Sequence, residues 1–494
     1  MDNSKPIISN SLEENIKTIQ NIFQKDDTLQ IRRVENQYNG IKYCIFFIFG
    51  MADSLVINEN ILKPILDNKV LVDDSDHISY LASNVLDTSQ ANIIKDIDDV
   101  LNELLMGNTI LFTENCNQSI ALSSIGWKKR NIEEPPTERV LRGPREGFTE
   151  DLTTNLSMIR RKIQTKELKF QFMTVGERTN TKVCLCYING LAKEEILNTV
   201  ISKIEDISID GILDIKYLQE SLDENPFSIF EITMSTEKPD IVAGRILEGR
   251  IAVLVNGSPI VMTLPSLFIE HMMASDDYYL NYHMASIGRL LRIFGFLLTI
   301  SVPAVYLSLI SFHQEMVPTP LLISIYSSRA GVPFPTFLEL FLLLLTFEVL
   351  REAGVRVPGP IGQSISIVGA LVLGTAAVDA SFVSAPMIIV VGITAITSLL
   401  IPSLAGVVII LRFFLLMLSS LLGIYGYIFG MLVIVIHLFS LRSFGVPYMN
   451  TLTSFRMQTI KDTYIRAPLW YMRYRPKFLS KDSKRQTIGG KGDE

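Results

Sequence analysis

Charge is what the stretch from Ile293 to Leu441 of this 494-residue chain has little of. From Ala380 to Leu441 a single formal charge, Arg412, interrupts the sequence. A run that apolar excludes an ordinary water-facing domain and places the stretch in a bilayer. Cysteine is also scarce. Cys44, Cys116, Cys184 and Cys186 show no CxxC or Cys/His ligand spacing, which excludes a zinc site and a disulfide framework and points to reduced, buried thiols. The five histidines are scattered. No GxGxxG after a strand, phosphate loop, HExxH or GxSxG occurs, so neither an enzyme nor a cofactor is expected. The start, MDNSKPIISN, has no apolar core behind a basic segment, and no signal peptide is expected. Basic residues are too few in residues 1–288 for a nucleic-acid footprint, at 28 Lys/Arg against 42 Asp/Glu.

What is present is a division of labour along the chain. The acidic first part alternates strand-like and helix-like segments. Ile41–Met51 reads as a buried strand, Asp53–Asn68 and Gln90–Met106 as helices, and Thr109–Thr113 with Ser119–Ser123 as a hairpin. The pattern recurs: strand Lys182–Ile188, helices Lys193–Ile204 and Pro239–Leu247, and a hairpin of Arg250–Val255 with Ile260–Leu264. Sliding the first set so that Cys44 falls on Cys184 also puts Ile48, Gly50 and Ala52 on Ile188, Gly190 and Ala192, with Gly107 near Gly249. The expected fold class is therefore an α/β N-terminal region of two similar subdomains followed by an all-α polytopic membrane domain of about six spans. The expected boundaries are a mobile segment 1–27, subdomains 28–146 and 147–288, a transmembrane domain 289–441 and a basic cytoplasmic tail 442–494. Between the subdomains, Glu133–Phe148 reads either as a spacer or as a joint that pairs charges through Arg139, Arg142, Arg145 and Glu146.

The first expected span is Ile293–Phe312, the second about Phe334–Leu350, and the third Val357–Val378. Residues 384–402, 404–422 and 424–441 supply three more, with Gly423 and Gly426 offering a break. Basic residues at 289, 292, 351 and 356 and in the tail put both termini on the cytoplasmic side, which needs an even number of spans. Four spans, with the remainder re-entrant or interfacial, is the alternative. In the third span Gly362, Ser366, Ala370 and Gly374 recur at every fourth position, a seam that lets another helix approach closely. A second face carries Ser364, Val368, Leu371, Val372, Thr375 and Asp379, the pattern of a pore wall with an apolar constriction, or of an ordinary helix packed between others. Glu339, Glu348 and Arg412 are charges at membrane depth and so functional candidates, with Arg412 a possible partner of one carboxylate. His313–Pro335, apolar and with four prolines, reads as a re-entrant or interfacial element.

Four stretches together resemble one family: Glu138–Phe148 (ERVLRGPREGF) continuing to Arg160–Arg161, Leu247–Tyr279, Phe312–Gln363 running on through the third span, and Ile465–Pro476 (IRAPLWYMRYRP). They resemble the A subunits of GerA-type germinant receptors of endospore-forming bacteria, over nearly the whole chain from about residue 30. The resemblance implies a place in the spore inner membrane, a transporter-like B subunit and a lipoprotein C subunit as partners, and nutrients as triggers. It also implies assembly of A subunits into a homo-oligomeric channel for monovalent cations. On these matches it assigns the arginine cluster Arg139, Arg142 and Arg145 to the head and the Gly362–Asp379 helix to the membrane. Relatives tend to carry Gln or Glu near Thr375, and the plain hydroxyl here is a departure that bears on pore polarity. A stage V sporulation membrane protein shares the architecture. A nutrient-sensing scaffold without its own pore is the competing class. Secondary transport ranks lowest, since no two similar membrane halves are visible.

Overall fold

A computed structural model describes residues 7–70, 77–88, 90–126, 138, 142–356, 374–449, 462–472, 474–476, 478–481, 484 and 485. Two antiparallel five-stranded sheets build the head. The first contains β1 (Leu29–Glu35), β2 (Lys42–Ile48), β3 (Ala91–Ile94), β4 (Thr109–Thr113) and β5 (Ser119–Leu122), in the order β1-β2-β4-β5-β3. The second contains β6 (Leu168–Val175), β7 (Thr181–Ile188), β8 (Met234–Thr236), β9 (Ile251–Val255) and β10 (Val261–Leu264), in the order β6-β7-β9-β10-β8. The two orders are the same, strand for strand. The correspondence holds in the turns as well: Gly50 and Gly190 have φ of 80° and 79°, and Gly107 and Gly249 have 94° and 95°. These left-handed conformations favour glycine because it lacks Cβ.

Both faces of each sheet are covered, which is why β2 and β7 read as unbroken apolar runs. In the first unit Cys44, Phe46 and Ile48 pack under α1 (Leu12–Ile22) and α2 (Ile97–Leu105). Tyr43 and Ile45 face the segment Ile57–Ile65 on the other side. In the second unit Cys184, Cys186 and Ile188 pack under α3 (Leu152–Lys162) and α6 (Pro239–Ile246). Val183, Leu185 and Tyr187 face α4 (Glu194–Glu205) and α5 (Ile215–Leu222). All four cysteines are buried and free, and burial pushes the Cys44 thiol up to about 12.

Two expectations change here. Gln90–Met106 is not one helix: Ala91–Ile94 forms the edge strand β3, paired with β5, and the helix begins at Ile97. Tertiary pairing of Ile93 and Ile94 overrode their helical spacing. The polar N-terminal stretch contains α1, whose Leu12, Ile16 and Ile19 are buried on the sheet. Leu12, where α1 begins, stands to Leu152, where α3 begins, as Cys44 stands to Cys184, so the repeated pattern starts ahead of residue 28.

Six further helices are described: α7 (Tyr282–Ser311), α8 (Thr319–Arg329), α9 (Thr336–Arg356), α10 (Ala385–Ser398), α11 (Ala405–Leu422) and α12 (Ile424–Ser440). Helix α7 continues through Pro303 for 30 residues. The α7 helix and the stretch Pro402–Leu422 are long and apolar enough to cross a bilayer, while α10 and α12 are apolar but shorter. Contacts fix their directions. At the head end Arg292 bonds Met272 O and Ser403 bonds His271 O, and Ser228 lies 3.2 Å from His437. At the far end Gly423, with φ 62°, turns α11 into α12 against Phe312 and His313, and Glu339 meets Ser384. Thus α7 and α11 run away from the head, and α9, α10 and α12 run back toward it.

One apolar cluster joins head and helices. It runs from Val183, Leu185 and Leu218 in the second unit, through Leu267 and Met272, to Phe296, Ile300, Leu404 and Leu411. On the outside of the helices, Leu291, Phe294, Ile389, Ile396, Ile410, Leu421, Phe429, Val433 and Ile436 are exposed. An apolar belt of that extent marks a surface meant for lipid or another protein.

Candidate functional site at the head–membrane junction

Helix α7 opens with Asn281 as its cap, whose side chain accepts from His283 N–H. Two turns in, Arg289 is 0% exposed. Its Nε donates to Asp277 Oδ2 at 2.9 Å, and its Nη1 donates to Asp462 O at 2.6 Å and Asp462 Oδ1 at 3.2 Å. Arg292, a turn later on the same face, gives Nη2 to Asp277 Oδ1 at 2.5 Å and Nη1 to Met272 O at 2.6 Å. From the tail, Arg466 Nη2 donates to Tyr278 O at 3.3 Å, and its backbone N–H donates to Ser286 Oγ at 3.1 Å. Asp277 is itself 1% exposed and serves both arginines. The base of α7 is thus held between the last head residues and the C-terminal tail. Buried charges need such pairing, because desolvation otherwise outweighs their attraction.

Beside this collar, Tyr448 Oη donates to Glu231 O at 3.0 Å and lies 3.0 Å from His271 Nε2. Burial, aided by nearby Arg245, lowers the His271 pKa to about 4 against the pull of Glu270 and Glu231. The folded state therefore holds the neutral ring, while the unfolded chain takes up a proton near the ordinary value of about 6.5. Stability from this site is full above about pH 6.5 and is lost as pH falls toward 4, by on the order of 3 kcal/mol in all. The thermal midpoint of the detergent-solubilised protein should fall across that window. In His271→Asn the slope should flatten, and an unchanged slope would place the titration elsewhere.

Deeper in the helices, Arg412 on α11 is 0% exposed and pairs with Glu348 on α9, and Arg351 Nη2 lies 2.9 Å from the same carboxylate. Near the far end, Glu339 Oε1 accepts from Ser384 N–H and Oγ–H, both at 2.6 Å, so it satisfies the backbone where α10 begins. Arg329 Nε stands 3.6 Å from Glu339 Oε2. All three charges that stand out in the apolar half of the sequence, Glu339, Glu348 and Arg412, therefore have partners.

Of the pore-wall and seam residues, Gly362, Ser364, Ser366, Val368, Ala370, Leu371 and Val372 lie outside the described residues. Residues 374–379 are helical. A Cβ on Gly374 would stand 3.4 Å from Ile388 Cδ1, so this position packs against α10. Thr375 and Asp379 are exposed, Asp379 near the far end. Arg139 also lies outside the described residues. Arg142 and Arg145 are exposed, and Glu146 pairs with Lys162 at 3.2 Å. Glu138 accepts from Thr236 Oγ1 at 2.6 Å. A buried contact between the two units lies at Arg160. Arg160 on α3, 1% exposed, gives Nη2 to Asp26 Oδ2 at 2.6 Å and Thr28 Oγ1 at 2.9 Å. Nothing in the sequence ties Arg160 to Asp26 across 134 positions. Among the described residues no group of three or more His, Cys, Asp or Glu side chains is placed to hold a metal ion.

Comparison with known proteins gives this architecture a family. The model of the Bacillus/Clostridium GerA spore germination protein family matches residues 17–478. Spore germination protein KA of Bacillus subtilis is 38% identical, over 97% of this chain and 88% of its own length. Spore germination protein B1 of the same organism is 33% identical, over 95% of this chain and 97% of its own. An uncharacterised membrane protein of that organism, YfkQ, is 38% identical over 96% of this chain and 92% of its own. Among solved structures, the N-terminal domain of the A subunit of the Bacillus megaterium spore germinant receptor GerK3 is similar at 27% identity and a TM-score of 0.44, covering 54% of this chain and 98% of that one. A whole-chain family match, with relatives at this identity, places the chain in the GerA spore germination protein family.

Proposed function

We propose that this chain is the A subunit of a nutrient germinant receptor, in which a two-unit α/β head on the cytoplasmic side controls a membrane helix bundle. The observation that carries this reading is the shared apolar cluster, in which the core of the second head unit continues into α7 and α11. Closely packed interiors transmit displacement, so a shift in that unit moves the head-facing ends of two long apolar helices. In this reading the segment 357–379 completes six spans with α7, α9, α10, α11 and α12. Several copies assemble in the spore inner membrane so that Ser364, Val368, Leu371, Val372, Thr375 and Asp379 line a path for monovalent cations. A transporter-like B subunit and a lipoprotein C subunit are the partners, and the outer apolar belt meets lipid or these subunits.

Shrinking Val368 or Val372 to Ala is expected to loosen an apolar constriction. Spores carrying either variant at normal protein level should release potassium and lose refractility without added nutrient. If both variants keep full dormancy, there is no gate at this place. Cation flux that survives polar-face substitutions in 364–379 would instead favour a scaffold that conducts nothing itself.

A further inference from the structure

The two head units close in different ways, and the difference assigns a role to the tail. In the first unit the chain that leaves β5 folds back over the end of the sheet. Ala52 forms an antiparallel bridge with Ile125, Asp53 N–H donates to Ser124 O at 2.7 Å, and Gly126 N–H donates to Met51 O at 3.0 Å. In the second unit the chain that leaves β10 departs through Pro265 and the turn Phe268–Met272 toward α7. Its closing place is nevertheless filled. Ala192, the counterpart of Ala52 in the repeat, bridges Ser480. Lys481 N–H donates at 3.0 Å to the carbonyl of Leu191, the counterpart of Met51. Ser480 therefore stands where Ile125 stands in the first unit, and Lys481 stands where Gly126 does.

The slot is shaped for this segment. A Cβ on Gly249 would lie 3.0 Å from Ser480 Cα and 3.1 Å from Leu191 O, and φ there is +95°. Leu479 and Ser480 are 0% and 3% exposed. Arg475 Nε donates to Leu247 O at 2.8 Å, Arg485 Nη2 meets Glu248 Oε1 at 3.1 Å, and Lys481 Nζ lies 3.3 Å from Glu194 Oε1. Backbone pairing seats the segment, and the two carboxylates favour basic side chains on it.

We propose that Ser480 and Lys481, which follow the turn at Phe478 and Leu479, form the closing bridge of the second head unit, supplied in cis by the chain beyond α12. They act as a latch that ties the tail to the head in the resting state. The slot formed by Leu191, Ala192 and Gly249, with Glu194 and Glu248 on its rim, is then a binding site for a short basic segment that bridges by its backbone, and this chain's own tail is its occupant. The latch rests on the reading that the head controls the helix bundle. Its release would free the tail from the head and unload the collar at Arg289.

The test uses the full-length chain in spores. Ala192→Cys combined with Ser480→Cys places two thiols across the bridge, while the four native cysteines are buried. Oxidation should give a crosslink within one copy, seen as a mobility shift of the monomer. It should also slow the nutrient response at least tenfold, with recovery after reduction. Two freely alkylated thiols without a crosslink would overturn the proposal. A crosslink that joins two copies would overturn the cis assignment. A complete crosslink with an unchanged response would overturn the latch. As a second variant, ending the chain at Phe478 should raise alkylation of a single Ala192→Cys at least tenfold, and an unchanged rate counts against tail occupancy. Mobility and alkylation read the latch directly, so these results hold whether or not the helices conduct ions. Loss of gating by Val368→Ala alone bears only on the channel.

Discussion

Arg412→Ala is expected to strip most of the folded protein from the spore membrane. The guanidinium is 0% exposed and pairs with Glu348, which also holds Arg351. Among the described residues, removing the arginine leaves Glu348 with the more peripheral Arg351, whose side chain is 25% exposed. Breaking one side of a buried pair costs about 3–5 kcal/mol, because the remaining charge stays desolvated. That is a large share of the roughly 5–15 kcal/mol that holds a typical fold together. The loss should appear as reduced protein in spore membranes and a lower thermal midpoint in detergent. Glu348→Leu with Arg412→Met removes both charges and keeps most of the volume, so it should restore level and midpoint well above either single change. Single variants that match the parent in both readouts would mean that the pair is not buried in the assembled protein.

Asp277→Ala is expected to have the second largest effect, at the junction. This carboxylate, 1% exposed, is shared by Arg289 and Arg292. Without it two arginines at the base of α7 lose their common partner. Among the described residues Arg289 keeps Asp462, backbone carbonyls of the tail and the face of the Tyr278 ring. The expected cost is again about 3–5 kcal/mol. It should appear as faster limited proteolysis between head and membrane helices and as a blunted nutrient response at equal protein level. Asp277→Asn retains hydrogen-bond acceptance without the charge and should fall between the parent and Asp277→Ala. If Asn and Ala variants both behave as the parent does, the collar does not couple head to helix.

Much of the layout is legible in the residues because the signals are local. β2 and β7 stand out as apolar runs, and Gly50, Gly190, Gly107 and Gly249 mark turns that need positive φ. The same spacing that links Cys44 to Cys184 also links α1 to α3, yet α1 is hard to see because its apolar stripe is little more than Leu12, Ile16 and Ile19 amid polar residues. Ile93 and Ile94 mislead for the opposite reason. Their spacing fits a helix, but the free edge of β5 recruits them as β3.

The contacts that define the candidate site are less visible. Arg289 stands out in sequence only as a basic residue flanking a span. That it lies between Asp277 and Asp462 depends on bringing the tail back to the base of α7. Arg160 sits within a run of basic residues, and only the packing of the two sheets gives it Asp26. Arg412 is conspicuous by its isolation, but its choice of Glu348 over Glu339 follows from which turns of α9 and α11 lie level.

By itself the sequence determined the acidic α/β head, the apolar helices and their basic flanks, and the repeat, because hydropathy period, glycine turns and charge distribution act over short stretches. Only the tertiary structure decided which buried charges meet, which face of the head continues into the membrane helices, and that the tail closes the second unit. The pairing of Lys481 with Glu194, for one, spans 287 positions. No local preference specifies such a contact; it follows from the backbone pairing that seats the tail on the second unit.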